Sequence, residues 1–199
     1  MRVLVACEYS GRVRDAFTKL GHDAISCDLL PSESPGKHYQ GDVFDIINDG
    51  FDLMIAHPPC TYLSNAGARY LYPNKKLNKE RYEFGLAAKE FFMKLLNAPI
   101  DKICVENPLP SKIYELPKES QVIQPYQFGH PLSKRTHLWL KNLPLLKHTK
   151  VISDYTPLIR SNVTAKKRNG QKQLGKYSGG LITAITFQGI ADAMAEQWG

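Results

Sequence analysis

Short apolar runs alternate with helical periods along the first 140 residues, and each of the first five runs stops on a polar residue. The runs lie at 2–7, 23–27, 38–44, 51–56 and 101–105, with the length and apolar content of buried strands. Between the first two, Ser10-Gly11 opens a helical pattern with apolar Val13, Ala16, Phe17 and Leu20, closed by Gly21. Residues 79–97 give an amphipathic helix, with Tyr82, Leu86 and Met93 set apart from Lys89 and Glu90. Two more strands are expected at 120–127 and 136–140. A closing helix over 186–198 spaces Ile190, Met194 and Trp198 along one side. Strand, helix and strand at this spacing build βαβ units. The expected fold is α/β, a doubly wound and mostly parallel sheet with helices on both faces.

Length and charge divide the chain. A chain of 199 residues makes roughly one domain, with or without an appendage. Residues 141–176 hold nine Lys and Arg and one acid, Asp154, so this segment carries +8, whereas the rest carries −1. The expected division is a core over 1–140, a basic insert over 141–185, and a C-terminal helix over 186–199 that packs back on the core. The insert reads either as a phosphate-contacting segment or as a solvated loop. A hydrophobic fraction of 43% suits a soluble globular chain. No apolar run approaches the roughly 20 residues that cross a bilayer. Glu8 closes the N-terminal apolar stretch too early for a signal peptide, so a cytoplasmic protein without membrane partners is expected. Cys7, Cys27, Cys60 and Cys104 form no CxxC pair and have no His at zinc spacing, so no metal is expected. Three of them sit in apolar runs as small buried hydrophobes.

In sheets of this class ligands bind beyond the carboxyl ends of the strands. Glu8, Asp28, Asp42, Cys60 and Glu106 gather there. The turn Glu8-Tyr9-Ser10-Gly11 precedes a helix N-terminus, where backbone N–H groups can meet a ligand. Asp28 reads as an acceptor for ribose hydroxyls or as a turn former before Leu29. Asp42 reads as a partner for an adenine amino group or as a strand-end cap. Cys60 follows Pro58 and Pro59, which stiffen the backbone and remove two N–H donors. A thiol on such a loop is placed like a nucleophile, provided that polar or positive neighbours favour thiolate. Arg69, Lys134 and Arg135 are the candidates. Glu106 can protonate or hydrogen-bond a ring nitrogen when Cys60 attacks a ring carbon; the other reading is a cap for a helix beginning at Pro108.

His57-Pro58-Pro59-Cys60, Glu106-Asn107-Pro108, Phe128-Gly129-His130-Pro131 and Ser133-Lys134-Arg135-Thr136 follow one another in this order. The series resembles the motif order of DNA cytosine-5 methyltransferases, and more closely that of short phage and prophage proteins of this type. The resemblance implies the Rossmann-like fold of S-adenosylmethionine-dependent methyltransferases. It implies Cys60, Glu106 and Arg135 as catalytic residues. It implies S-adenosylmethionine as cofactor, held by Glu8, Tyr9, Ser10, Gly11, Asp28, Asp42 and Pro58. DNA would be held by Pro59, Asn107, Lys134, Lys166, Lys167 and Arg168. The chain departs from the family in several places. The first turn lacks Phe-x-Gly-x-Gly, and His57 stands where a small residue is usual. Thr61 replaces Gln and Pro108 replaces Val. Only the basic segment occupies the place of the long target-recognition domain, which a second subunit could supply. Two other functions suit these departures. One is the same fold acting on a pyrimidine nucleotide, a modified base or a single strand. The other is a non-catalytic nucleic-acid-binding protein.

Overall fold

The computed structural model describes residues 1–157 and 186–199. Nine strands are found in them: β1 Arg2–Ala6, β2 Asp23–Asp28, β3 His38–Gln40, β4 Leu53–Ala56, β5 Lys102–Asn107, β6 Gln121–Ile123, β7 Leu132–Ser133, β8 Thr136–Lys141 and β9 Thr156–Pro157. The helices are α1 Arg12–Lys19, a single turn α2 Ala68–Leu71, α3 Lys79–Leu96 and α4 Gln188–Trp198. Seven strands form one sheet in the order β3-β2-β1-β4-β5-β8-β6. The first five run parallel. Strand β8 is antiparallel to β5, and β6 is antiparallel to β8. This is the doubly wound, mostly parallel α/β sheet expected from the alternation.

Strand side chains alternate between two apolar layers, as the pleat requires. Val3, Val5, Leu53, Ile55, Cys104 and Leu138 face one side, where Val13 and Phe17 of α1 and Ile190, Met194 and Trp198 of α4 cover them. Leu4, Ala6, Met54, Ala56, Ile103, Val105 and Trp139 face the other, against Phe92 and Leu95 of α3. The chain winds outward from β1 in one direction and from β4 in the other. The reversal between β1 and β4 is the topological switch point, where a crevice opens at the strand ends.

Two expected strands prove shorter. In 38–44, pairing stops at Gln40, and the Asp42 carboxylate accepts the Phe44 N–H at 3.0 Å to cap a 3-10 turn. In 120–127, pairing stops at Ile123, because Pro125 has no N–H for a ladder and opens another 3-10 turn. The first part of the expected insert is packed chain. Leu146 is buried beside α4, and the Trp198 indole N–H donates to the Pro144 carbonyl at 3.0 Å. Strand β9 pairs with β7 in a separate two-stranded sheet.

Candidate active site

The loops that leave β4 and β5 are fastened to each other along their length. Ala56 pairs with Val105, so the next residues, His57 and Glu106, meet side by side. His57 Nδ1 lies 3.2 Å from Glu106 Oε2. One residue further, the Asn107 side-chain amide donates to the Pro58 carbonyl at 3.2 Å. Beyond Cys60, the Asn65 N–H donates to the Leu109 carbonyl at 2.8 Å, and the Ser111 N–H donates to the Leu63 carbonyl at 2.7 Å. The Cys60 carbonyl accepts the Ser64 N–H at 2.9 Å, which fixes the turn at the thiol. Three residues of chain bound the Cα separation of His57 and Cys60 to about 11 Å. Cys60 itself is half-buried.

Glu106 lines a narrow cleft with His57, Lys134, Thr136 and Phe187. Burial works to raise its pKa. The His57 hydrogen bond and the charges of Lys134, His57 and His137 work against this, and the net result lies below the ordinary carboxylate value. Glu106 is therefore ionised at neutral pH. His57 Nε2 and Asn107 Oδ1 are buried without a hydrogen-bond partner among the described residues. Buried polar atoms are rarely left so, and the ring of His57 lines the cleft with Glu106. His137, which pairs with Asn107 in the ladder, is 3% exposed. Its Nδ1 is 3.4 Å from Glu119 Oε1, a contact that falls short of a hydrogen bond.

The Lys134-Arg135 pair is divided by its own chain direction. Lys134 lines the cleft, and its ammonium lies 5.9 Å from the Phe187 ring centre. Arg135 is exposed and does not line the cleft. The cation beside Glu106 is thus Lys134, where the resemblance pointed to Arg135.

A second cavity of about 140 Å³ lies at the ends of β1, β2 and β3. Asp28 and Asp42 sit on it, with Val43, Leu29, Phe91 and Pro59 as mostly apolar walls. Carboxylates beside an apolar slot are the acceptor set that a nucleoside needs, with sugar hydroxyls donating to the acids and the base on the apolar walls. Both acids also serve the backbone, since Asp28 accepts the Leu30 N–H at 2.9 Å and Asp42 caps the 3-10 turn. The two readings of each residue are compatible. Of the two prolines, it is Pro59 that reaches the cavity beside Asp28 and Asp42, whereas Pro58 is enclosed between the two loops and holds Asn107.

The first turn is closed on itself. Glu8, 5% exposed, accepts the Val13 N–H at 2.8 Å, the Arg14 N–H at 3.2 Å and the Ser10 hydroxyl at 3.2 Å. The donors of the α1 N-terminus are thus satisfied by the chain's own carboxylate. Burial, with the Glu33 and Asp28 charges, raises the pKa of the half-buried Tyr9 phenol. Gly11 has φ 74, and a Cβ there would collide with Ser34 and Arg14. Arg14 is only 1% exposed, and its guanidinium donates to Ser26, Ser32, Ser34, Asp15 and the Pro35 carbonyl. It fastens the loop after β2, whose Leu29 forms one cavity wall. Arg14 carries no signal in the sequence, because a charged residue inside a helical period reads as solvent-facing. The signal for His57 is its place one step past the fourth apolar run, matching that of Glu106 after the fifth.

Lys166, Lys167 and Arg168 lie outside the described residues. Among the described residues no helix is long and apolar enough to cross a membrane, and no group of three or more His, Cys, Asp or Glu side chains could hold a metal ion. No family model and no curated protein matches the chain. Among solved structures the chain is similar to a crystal structure of a Spodoptera frugiperda DNMT2 mutant, with 16% identity and a TM-score of 0.37. The match covers 79% of this chain and 55% of that one, so the chain spans about half the length of that protein.

Proposed function

We propose that this chain is an S-adenosylmethionine-dependent methyltransferase acting on carbon 5 of cytosine in nucleic acid, DNA in the first instance, through a covalent Cys60 adduct. The observation that carries the reading is the fastening of the Cys60 loop to the Glu106 loop by the His57–Glu106 and Asn107–Pro58 contacts. This fastening supports a reading in which the Cys60 thiol and the Glu106 carboxylate act together at one end of the sheet.

The Cys60 sulfur adds to carbon 6 of the ring, and the ring electrons move toward nitrogen 3. Glu106 carries a proton to that nitrogen as its basicity rises. Glu106 is ionised in the free protein, so the proton that it delivers is taken up from solvent, with His57 at 3.2 Å orienting the carboxylate. Lys134 balances the charge of the pair. Carbon 5 becomes nucleophilic, and the later loss of its proton expels the Cys60 thiolate, which divides one hard step into easier ones. Asp28, Asp42, Phe91, Val43 and Pro59 would hold S-adenosylmethionine, which supplies an electrophilic methyl group when bound. A base in a duplex must leave the stack to reach the thiol.

The test is trapping with a 5-fluorocytosine oligonucleotide, with S-adenosylmethionine present. Wild type is expected to form an adduct stable in denaturing gels, and Cys60→Ser none. No adduct on any oligonucleotide, together with no binding of S-adenosylmethionine by calorimetry, overturns the reading in favour of a non-catalytic binding protein.

A further inference from the structure

The chain from the Cys60 loop into the first turns of α3 carries exposed aromatic rings interleaved with arginines. Tyr62, Tyr70, Tyr72 and Phe84 are each more than a third exposed. Large rings gathered in water at one place mark a binding face. These rings are held in position. The Arg81 guanidinium donates to the Thr61 carbonyl at 2.9 Å and lies 5.0 Å from the ring centre of Tyr62 and 5.4 Å from that of Tyr70. Arg69 stacks on Tyr70 at 4.5 Å and donates to its hydroxyl. Tyr62 and Phe84 have ring centres 5.2 Å apart. Asn78 caps α3 by accepting the Arg81 N–H at 3.0 Å. A Cβ on Gly67 would come within 2.9 Å of the Arg81 guanidinium and 3.2 Å of the Thr61 carbonyl, so the chain passes close beneath Arg81 here. Rings ordered in advance lose little freedom on binding.

The groove between them measures about 440 Å³. Residues 66–84 carry Arg69, Lys75, Lys76, Lys79 and Arg81 against Glu80 and Glu83, so the patch is cationic. Aromatic faces beside guanidinium groups are the chemistry that binds unpaired bases and their phosphates, because every base has a π-face and a duplex hides it. Tyr62 follows Cys60 by two residues, which places their Cα atoms at most about 7 Å apart. The platform therefore adjoins the thiol.

We propose that this face is a stacking platform for unpaired nucleotides that flank the base presented to Cys60, and that the substrate is engaged as a single or locally opened strand. This deepens the methyltransferase reading and rests on it for the identity of the base at Cys60.

The test uses the full chain and fluorescence polarisation with a single-stranded DNA, a single-stranded RNA of the same sequence, and the DNA duplex. Wild type is expected to bind one of the single strands at least tenfold more tightly than the duplex. The Tyr70→Ala/Phe84→Ala double variant is expected to lose at least tenfold on that strand, whereas Tyr70→Trp retains wild-type binding. The DNA and RNA arms identify the sugar. Circular dichroism checks that the variants fold. Equal binding of strand and duplex by wild type, or no loss in the double variant, overturns the platform. So does a wild-type dimer that the double variant dissolves without any change in strand binding. Adduct formation at Cys60, measured on the same samples, separates the two proposals. An adduct without ring-dependent binding sinks the platform alone, and ring-dependent binding without an adduct sinks the methyl-transfer chemistry alone.

Discussion

Burial pushes the Cys7 and Cys27 thiols up to about 12, and Cys104, wholly enclosed in the sheet, lies well above its ordinary value. Cys60 is half-buried at the tip of a loop that two prolines stiffen. Iodoacetamide at pH 8 is therefore expected to alkylate Cys60 first, with the other three reacting only on unfolding. Peptide mapping reads this directly, and early labelling of Cys7 contradicts it. At Glu106 the expected outcomes concern proton transfer. Glu106→Gln should lower turnover roughly 10²–10⁴-fold, with S-adenosylmethionine binding unchanged in calorimetry. His57→Leu removes the strongest influence that lowers the Glu106 pKa, so the limb of the pH–rate profile that reports Glu106 should move to higher pH. An unmoved limb would show that His57 only packs. Cys60, Glu106 and Lys134 were legible in the sequence, Glu106 because it ends an apolar run, Cys60 because it follows two prolines, and Lys134 because it stands in the Ser-Lys-Arg-Thr segment. The roles of His57 and Arg14 were not, since their partners lie 49 residues away in the first case and in a loop in the second.

At the scale of elements, α4 is tied to the sheet edge by a histidine. His130 Nε2 accepts the Gly189 N–H at 2.9 Å in the first turn of α4. Burial, then the Arg12 charge, lowers the His130 pKa below 6.5. A lowered histidine pKa means that the folded state favours the neutral ring. The contribution is fully present above about 6.5 and is lost as pH falls through the folded value. The melting temperature should therefore drop between pH 7 and pH 5, and His130→Gln should flatten part of that drop. The loop after β2 depends on Arg14 in a comparable way. Each buried acceptor left without its donor costs about 1–3 kcal/mol, so Arg14→Met should destabilise the fold by several kcal/mol, as chemical denaturation would show. The periodicity located α1, α3 and α4 to within two residues of their observed ends. It overran at 38–44 and 120–127, where a side-chain cap and a missing proline N–H stop the ladder.

For the whole molecule, the charge lies apart from Cys60 and Glu106 in sequence. The +8 of residues 141–176 falls where the resembled family carries its recognition domain. Residues 144–147 are tied to α4 by Leu146 and by hydrogen bonds with Gln197 and Trp198, and the cluster of Lys166, Lys167 and Arg168 lies beyond them in the chain. Neutralising these three should weaken nucleic-acid binding and make it less salt-dependent by about three phosphate contacts, while S-adenosylmethionine binding stays as it was. An unchanged salt slope would assign the charge to solubility alone. The sequence by itself determined the alternation of elements, hence the parallel sheet and the row of polar residues at its strand ends, because strand and helix periods and chain breakers are local properties. Only the tertiary structure decided which of those residues meet. The pairing of His57 with Glu106, the choice of Lys134 over Arg135, and the gathering of Tyr62, Tyr70 and Phe84 around Arg81 all depend on strand register and on contacts between distant segments, and no local period encodes either.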